Sequence, residues 1–176
     1  KKKIKILNIG RFTDQKDQFT FLKSLHNLKK DIEFEACIIG KGKLEKKLQN
    51  YIANNNLQKF VKMLNFVDNP YPLMKQTDLF VLSSKYEGLP NVLLESLVLK
   101  KFIISSDCRT GPNEILLGGK GGLLFNVGNH KQLEKKIKYF FSNKKKCQKM
   151  MINAHKSLKR FDYNKNLKLY LDLLRS

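Results

Sequence analysis

The sequence lacks tryptophan and has only three cysteines, Cys37, Cys108 and Cys147, which lie far apart along the chain. An odd number of scattered cysteines excludes a disulfide framework and offers no pair with metal-ligand spacing. No apolar run approaches the roughly 20 residues that a membrane-spanning helix requires. These absences predict a protein of a reducing, cytoplasmic compartment that does not cross a membrane.

Acidic residues are also scarce: 15 Asp and Glu face 35 Lys and Arg, which gives a net charge of +20. Such an excess favours anionic partners, among them nucleic acid, phospholipid headgroups and nucleoside diphosphates. Nucleic acid is disfavoured because the sequence has no basic motif interleaved with aromatics, no zinc signature and no recognition-helix pattern. Much of the excess lies between Lys131 and Lys149, where two interpretations stay open. One is a solvated helix face, and the other is peripheral attachment to an anionic membrane surface, where each Lys contributes about 1 kcal/mol.

Short apolar, β-rich segments alternate with segments that carry apolar residues at helical spacing. The predicted strands are Ile4 to Ile9, Phe34 to Ile39, Val61 to Leu64, Leu79 to Leu82, Phe102 to Ser105 and Leu123 to Phe125. The predicted helices between them are Asp17 to Lys29, Lys43 to Asn55, Pro70 to Gln76, Asn91 to Leu99 and Pro112 to Leu117. Three more helices follow: His130 to Ser142, Lys145 to Lys159 and Asn164 to Leu174. The order predicts a single α/β domain over residues 1–176, with a Rossmann-like, doubly wound parallel sheet of about six strands and extra C-terminal helices.

Ligands of such sheets bind at the carboxyl ends of the strands, so the residues that follow each strand are the candidates for a site. The first strand is followed by Gly10 and Arg11, and Lys16 stands five residues further at a helix entrance. Two cations beside a helix N-terminus can hold a diphosphate, because Arg offers a planar fork of donors and Lys a mobile charge. Ordinary surface cations of a Lys-rich chain are the alternative interpretation.

The second strand ends in Gly40-Lys41-Gly42, a glycine turn that precedes a helix. It does not fit a dinucleotide fingerprint, since Glu45 stands where the third glycine belongs and no ribose-binding acid lies at the usual spacing. The turn instead predicts a tight bend at which the backbone approaches a ligand closely.

The fourth strand runs into Glu87-Gly88-Leu89-Pro90-Asn91-Val92, and Glu95 lies eight positions after Glu87. Pro90 suits a first helical turn, and the amides between Leu89 and Val92 are expected to point out of the helix N-terminus toward an anion. Carboxylates accept hydrogen bonds from paired hydroxyls, so Glu95 is a candidate for ribose and Glu87 for a sugar.

Four blocks of this sequence together resemble the family 4 glycosyltransferases of GT-B architecture. They are Gly10-Arg11 with Lys16; Gly40-Lys41-Gly42; Asn65-Phe66-Val67-Asp68-Asn69-Pro70; and Glu87 through Glu95, which is similar to the family's Glu-x7-Glu signature. The resemblance covers roughly Ile4 to Leu133 and only the C-terminal, donor-binding half of such an enzyme. It therefore implies that an acceptor-binding domain precedes Lys1 and that this chain alone is inactive.

The resemblance also implies a role for each matched residue. Arg11, Lys16 and Glu87 are implied as catalytic: the two cations bind the donor diphosphate and Glu87 contacts the transferred sugar. Glu95 is implied to hold the ribose. The other implied donor-binding residues are Gly10, Gly40, Gly42, Asn65, Phe66, Val67, Gly88, Leu89, Pro90, Asn91 and Val92. One position departs from the family, since Asp17 stands where glycine is common; capping of a helix is its simplest interpretation.

The implied reaction is metal-independent transfer of a sugar from a nucleoside diphosphate to an acceptor hydroxyl of a glycan or lipid-linked acceptor, with retention of configuration. The residues themselves also predict no metal site, because no Asp-x-Asp occurs and His26, His130 and His155 lie far apart in the sequence. UDP-hexose or UDP-N-acetylhexosamine is the donor that the resemblance favours. GDP-mannose and a non-catalytic nucleotide-binding module stay open as alternatives.

Overall fold

The computed structural model describes residues 3–162 and 164–168. Its strands are β1 Ile4–Ile9, β2 Phe34–Ile39, β3 Val61–Leu64, β4 Leu79–Leu82, β5 Phe102–Ser106 and β6 Leu123–Phe125. Its helices are α1 Gln18–Leu28, α2 Glu45–Asn54, α3 Tyr71–Lys75, α4 Asn91–Val98, α5 Pro112–Ile115, α6 His130–Ser142 and α7 Lys144–Ser157, followed by a 3₁₀ turn at Leu158–Phe161. The alternation predicted from the sequence is confirmed.

All six strands are parallel, in the order β3-β2-β1-β4-β5-β6. This is the doubly wound order of a Rossmann-like sheet, in which the chain turns from one half to the other between β1 and β4. The predicted fold class is therefore confirmed. Ligand sites of such sheets lie at this point, outside the carboxyl ends of the strands.

Helices pack on both faces of the sheet. In β5, for example, Phe102 and Ile104 belong to the core on one face, whereas Ile103 belongs to the core on the other. The first core also receives buried residues of α1, α2 and α6, and the second receives those of α4 and α5. Apolar residues at consecutive positions of β4 and β5 are thus explained, since both faces of these central strands are buried. The first half of β1, β2 and β3 is covered on one face only, because Lys5, Glu35 and Lys62 are exposed.

For the helices α1 to α7, the ends differ from the predicted ones by at most two residues. The predicted helix at 145–159 begins one residue earlier and ends at Ser157, where a 3₁₀ turn takes over. Of the predicted helix Asn164 to Leu174, residues 164–168 are helical, and the remainder lies outside the described residues.

Candidate active site

A cavity of about 560 Å³ opens between the loops that follow β1 and β4, at the point where the sheet changes direction. Strand ends, the two loops and the start of α4 together form its walls. The lining residues are Ile9, Gly10, Arg11, Lys16, Ile39, Gly40, Lys41, Phe66, Val67, Asp68, Pro70, Glu87, Leu89, Pro90, Asn91 and Val92. Its position agrees with the general rule for ligand sites in open parallel sheets.

Hydrogen bonds join the loop that follows β1 to the loop that follows β4. The backbone N–H of Lys85 donates to the carbonyl of Gln15 at 2.7 Å, and the Gln15 amide returns a bond to the carbonyl of Tyr86 at 3.0 Å. The Ser83 hydroxyl donates to the carbonyl of Lys16 at 3.0 Å. The two loops are therefore held together, although the Gln15 and Ser83 side chains lie 71 and 67 positions in the sequence from the residues that they contact.

An ion pair between Lys16 and Glu87 also joins the two loops, and both residues line the cavity. The Lys16 Nζ and Glu87 Oε1 atoms are 2.5 Å apart, and the two side chains are 16% and 7% exposed. Arg11, in contrast, is exposed, and no salt bridge to it occurs among residues 3–162 and 164–168. The cavity thus contains one cation paired with a carboxylate and one guanidinium available to an anionic ligand.

The glycine turn after β2 fixes the β1 loop by close backbone approach. A side chain on Gly40 would place its Cβ 2.1 Å from the carbonyl oxygen of Gly10, and one on Gly42 would place it 2.6 Å from that of Phe12. The Phe12 N–H donates to the carbonyl of Lys41 at 2.9 Å. The tight bend predicted at this turn therefore serves contact between two loops, and Gly42 lies outside the cavity lining.

The N-terminus of α4 opens into the cavity. Pro90 is the N-cap residue, with φ −75° and ψ 92°, so it lies one position before the first helical turn for which the sequence predicted it. Among the described residues no side chain caps this end, and Asn91 and Val92 line the cavity. Uncapped first-turn amides and the positive end of the helix dipole together favour an anion.

The loop after β5 supports Glu87 and its neighbours from behind. The Thr110 hydroxyl donates to the carbonyl oxygen of Glu87. Gly111, at φ 88°, leaves room for the next part of the β4 loop, since a Cβ there would lie 2.3 Å from the Gly88 carbonyl and 2.4 Å from Pro90 Cδ. The sequence reasoning missed this support, although its own rule about residues that follow strands applies to the end of β5.

The segment after β3 forms the opposite wall. Phe66 is 58% exposed, and the Lys41 Nζ lies 5.4 Å from its ring centroid, a cation–π geometry. Val67 lines the cavity beside it, while Asn65 is exposed and lies outside the lining. This wall offers an apolar edge and a third cation.

Glu95 lies next to the cavity and not inside it. It lines a neighbouring depression of about 490 Å³ on α3 and α4, and Asn91 borders both spaces. The residues that line the depression are Tyr71, Lys75, Asn91, Leu94, Glu95, Val98 and Leu99. A ligand that extends past Asn91 along α4 would therefore reach Glu95.

The structure gathers most of the predicted site residues around one space. Those that line the cavity are Gly10, Arg11, Lys16, Gly40, Phe66, Val67, Glu87, Leu89, Pro90, Asn91 and Val92. Those outside its lining are Gly42, Asn65, Gly88 and Glu95. The sequence reasoning did not assign Ile9, Ile39, Lys41, Asp68 and Pro70, which also line it. The roles given to these residues stay predictions.

Asp17, the departure from the family pattern, is the N-cap of α1. Its backbone is left-handed, at φ 44° and ψ 52°, a conformation that glycine adopts freely and that Asp tolerates better than most residues. Its carboxylate accepts bonds from the Thr20 N–H at 3.3 Å and the Thr20 hydroxyl at 2.6 Å. The charge is therefore engaged by its own helix.

Within residues 3–162 and 164–168, no group of three His, Cys, Asp or Glu side chains comes close enough together to hold a metal ion. Burial raises the pKa of the nearby Cys108 thiol, and the Glu87 carboxylate raises it further. This shift disfavours the thiolate, which is the nucleophilic form of a cysteine. In the part of the chain that the structure describes, no helix has the length and apolar character to cross a membrane.

The chain belongs to the family described as Glycosyl transferases group 1, whose model matches residues 1–157. It is 43% identical over 111 residues to an uncharacterised glycosyltransferase of Methanocaldococcus jannaschii, which covers 62% of this chain and 27% of that protein. It is 30% identical over 157 residues to N-acetylgalactosamine-N,N'-diacetylbacillosaminyl-diphospho-undecaprenol 4-alpha-N-acetylgalactosaminyltransferase of Campylobacter jejuni, over 89% of this chain and 42% of that protein. The chain thus spans less than half the length of both relatives.

Solved structures of glycosyltransferases share the fold. Staphylococcus aureus TarM, in complex with fondaparinux, alpha-GlcNAc-glycerol and UDP, superposes with a TM-score of 0.90 at 22% identity, over 99% of this chain and 36% of TarM. Anabaena HepE in complex with UDP-glucose gives 0.88 at 21% identity, over 98% and 49%. The C-terminal domain of the group 1 protein LpcC from Francisella tularensis gives 0.79 at 22% identity, over 89% and 85%. The family resemblance drawn from the four sequence blocks is confirmed.

Proposed function

We propose that this chain is the donor-binding part of a retaining glycosyltransferase that uses a UDP-hexose or UDP-N-acetylhexosamine without a metal ion. The observation that carries the proposal is the cavity at the switch point of the sheet, with Arg11, Lys16 and the open N-terminus of α4 in its walls. Two cations and uncapped amides around one space are suited to a diphosphate.

The diphosphate is the leaving group of the proposed reaction. Negative charge develops on it as the bond to the sugar breaks, and fixed donors stabilise that charge most strongly in the transition state. Arg11 and Lys16 supply this stabilisation in the proposal, which is why no metal ion is invoked. Glu87, beside Lys16, is assigned to orient the sugar, and Glu95, beyond Asn91, to accept hydrogen bonds from the ribose.

Comparisons with three related proteins support the proposed UDP-sugar donor and the proposed acceptor. TarM and HepE were crystallised with UDP and UDP-glucose. The Campylobacter relative is named for alpha transfer of N-acetylgalactosamine to a diphospho-undecaprenol-linked sugar. Because common UDP-hexoses are α-anomers, an α product means retention. We extend these properties to this protein: an acceptor hydroxyl on a glycan or lipid-linked oligosaccharide, bound through a further domain that is N-terminal to this one.

Isothermal titration of the chain with UDP, GDP and ADP in EDTA tests the proposal. We expect UDP to bind, chelation to leave its affinity unchanged, and Arg11→Ala to weaken it about 10-fold or more, as expected for a lost charge-assisted hydrogen bond. Lys47→Ala, an exposed cation on α2, is the matched control and should bind as the parent does. Preference for GDP would replace the uridine assignment, and failure of all three nucleotides at millimolar concentration would contradict the donor site.

Nucleotide binding without turnover would favour the non-catalytic alternative. It is distinguished by assaying a longer protein that includes the preceding sequence with UDP-sugars. Transfer or slow hydrolysis of the sugar supports a catalytic role, whereas tight UDP binding with neither reaction contradicts it.

A further inference from the structure

Half of the net charge of the protein lies in α6, α7 and the turn that follows them. Residues 126–161 contain eleven Lys and Arg and one carboxylate, Glu134. Lys138 is paired with Glu134 and with Asp31, at 2.7 Å from each carboxylate, so the only acid of this segment is already neutralised. The segment therefore has a net charge of +10 out of the +20 of the whole chain.

The exposed side of α7 is a stripe of lysines. Lys145, Lys149 and Lys156 lie at helical spacing with Ile152, which is 39% exposed although large and apolar. The helix contains no Asp or Glu from Lys144 to Ser157. Within the described residues, none of its lysines forms a salt bridge.

The corner between α6 and α7 continues the same surface. Phe141 is 36% exposed and borders a depression of about 460 Å³ together with Lys144, Lys145 and Lys146. The Lys146 Nζ lies 5.9 Å from the ring centroid of Tyr139. Tyr139 in turn lines a groove of about 670 Å³ along α6, with Lys131, Lys135 and Lys136. We call this surface the basic face. It consists of Phe141, Ile152 and the lysines of the groove, the corner and α7: Lys131, Lys135, Lys136, Lys144, Lys145, Lys146, Lys149 and Lys156.

We propose that the basic face docks on the surface of an anionic lipid bilayer. The lysine ammonium groups attract acidic lipid headgroups. The flexible lysine alkyl chains let these charges stay at the headgroups while neighbouring apolar side chains enter the membrane interface. Phe141 and Ile152 are such neighbours. The ring of Phe141 could also stack on a base, but Ile152 offers no such surface and suits the apolar part of a bilayer interface.

The inference deepens the proposed function and rests on it in one respect: a lipid-linked acceptor is itself held at a bilayer. No residue of the basic face lines the candidate active site. The basic face and the cavity therefore share no side chain. Membrane binding and nucleotide binding can consequently be measured, and can fail, separately.

Co-sedimentation of the chain with vesicles is the test. One set contains phosphatidylcholine alone, and another contains phosphatidylcholine with about one third phosphatidylglycerol. We expect binding only to the anionic vesicles, with a decrease at high salt. Replacing Lys144, Lys145 and Lys146 by Gln should lower the partition coefficient on the order of 100-fold, and Phe141→Ser should lower it at unchanged charge.

The control is a variant in which Lys46, Lys47 and Lys59 are replaced by Gln. These lysines are exposed on and near α2, and their replacement removes the same amount of charge. This variant should retain most of the vesicle binding, and all variants should retain the parent's circular dichroism and UDP affinity. Equal losses in the two triple variants would overturn the proposal, as would equal binding to both vesicle types. Tight binding of single-stranded RNA that the corner substitutions abolish, without binding to anionic vesicles, would assign the face to nucleic acid instead.

Discussion

Lys16 and Glu87 form an ion pair of 2.5 Å across two loops, with the carboxylate side chain 7% exposed. The residue assigned to the phosphate is therefore paired with the residue assigned to the sugar. A diphosphate that enters the cavity competes with Glu87 for the Lys16 ammonium. This coupling predicts opposite effects for substitutions at its two ends.

Glu87→Gln should tighten UDP binding severalfold, because it removes the carboxylate that competes for Lys16. Lys16→Ala should weaken UDP binding about 10- to 100-fold through loss of a charged hydrogen bond. Isothermal titration measures both. Asp14→Asn is the control, since Asp14 pairs with Lys43 on the exposed surface of the same loop. Weaker UDP binding in Glu87→Gln than in the parent would contradict the coupling.

Thr110→Val should weaken binding of a UDP-sugar more than binding of UDP. The substitution removes the hydroxyl that donates to the Glu87 carbonyl, and thus loosens the loop that is assigned to the sugar. Thr110→Ser keeps the hydroxyl and should restore the parent's ratio of the two affinities. An equal loss for both ligands would show that Thr110 supports the fold in general and not the sugar position.

Gly111→Ala should destabilise the protein by roughly 2–4 kcal/mol, because a left-handed backbone and a collision with Gly88 and Pro90 act together. Gly128→Ala isolates the first of these effects: Gly128 has φ 74°, close to the 88° of Gly111, and nothing lies within 4 Å of an added Cβ. It should cost about 1–2 kcal/mol. Urea unfolding compares the two, and equal values would remove the steric argument.

Glu134 should make the packing of α6 against α1 sensitive to acid. Burial raises the pKa of Glu134, but hydrogen bonds from Lys138 and Asn27 and the charge of Lys138 outweigh it, so the pKa lies below the ordinary value of 4.5. A depressed carboxyl pKa stabilises the folded state above the unfolded pKa, and the contribution disappears as pH falls through the folded pKa. Thermal unfolding between about pH 6 and pH 3 should therefore show a smaller decrease for Glu134→Gln than for the parent. Glu33→Gln, at an exposed carboxylate with no ion pair among the described residues, should follow the parent.

The central strands could be predicted because this fold buries them on both sides. Continuous apolar runs such as Leu79–Leu82 and residues 102–104 have no other common explanation in a chain with helical segments between them. Helix ends were less certain because they depend on caps. The left-handed backbone of Asp17 and the extended backbone of Pro90 move both residues from a predicted first turn to the N-cap position.

The site was predictable where the chemistry is local in sequence and was missed where it depends on tertiary contact. Arg11, Lys16 and Glu87 each follow a strand, so the topology rule brings them together. The ion pair between residues 71 positions apart has no signal in the sequence. The contact of the Lys41 ammonium with the Phe66 ring has no sequence signal either. The sequence motif assigns Gly42 to ligand binding, whereas an added Cβ at Gly42 would meet the backbone atoms of Phe12.

A crystal structure of the chain with UDP, and with the intact UDP-sugar, is the decisive measurement for the donor site. We expect the diphosphate to lie within hydrogen-bonding distance of Arg11, Lys16 and the first-turn amides of α4, with the ribose beside Glu95. The distance between Lys16 Nζ and Glu87 Oε1 in that complex should exceed 2.5 Å. A nucleotide bound outside the cavity, or one whose phosphates touch neither cation, would refute the donor assignment.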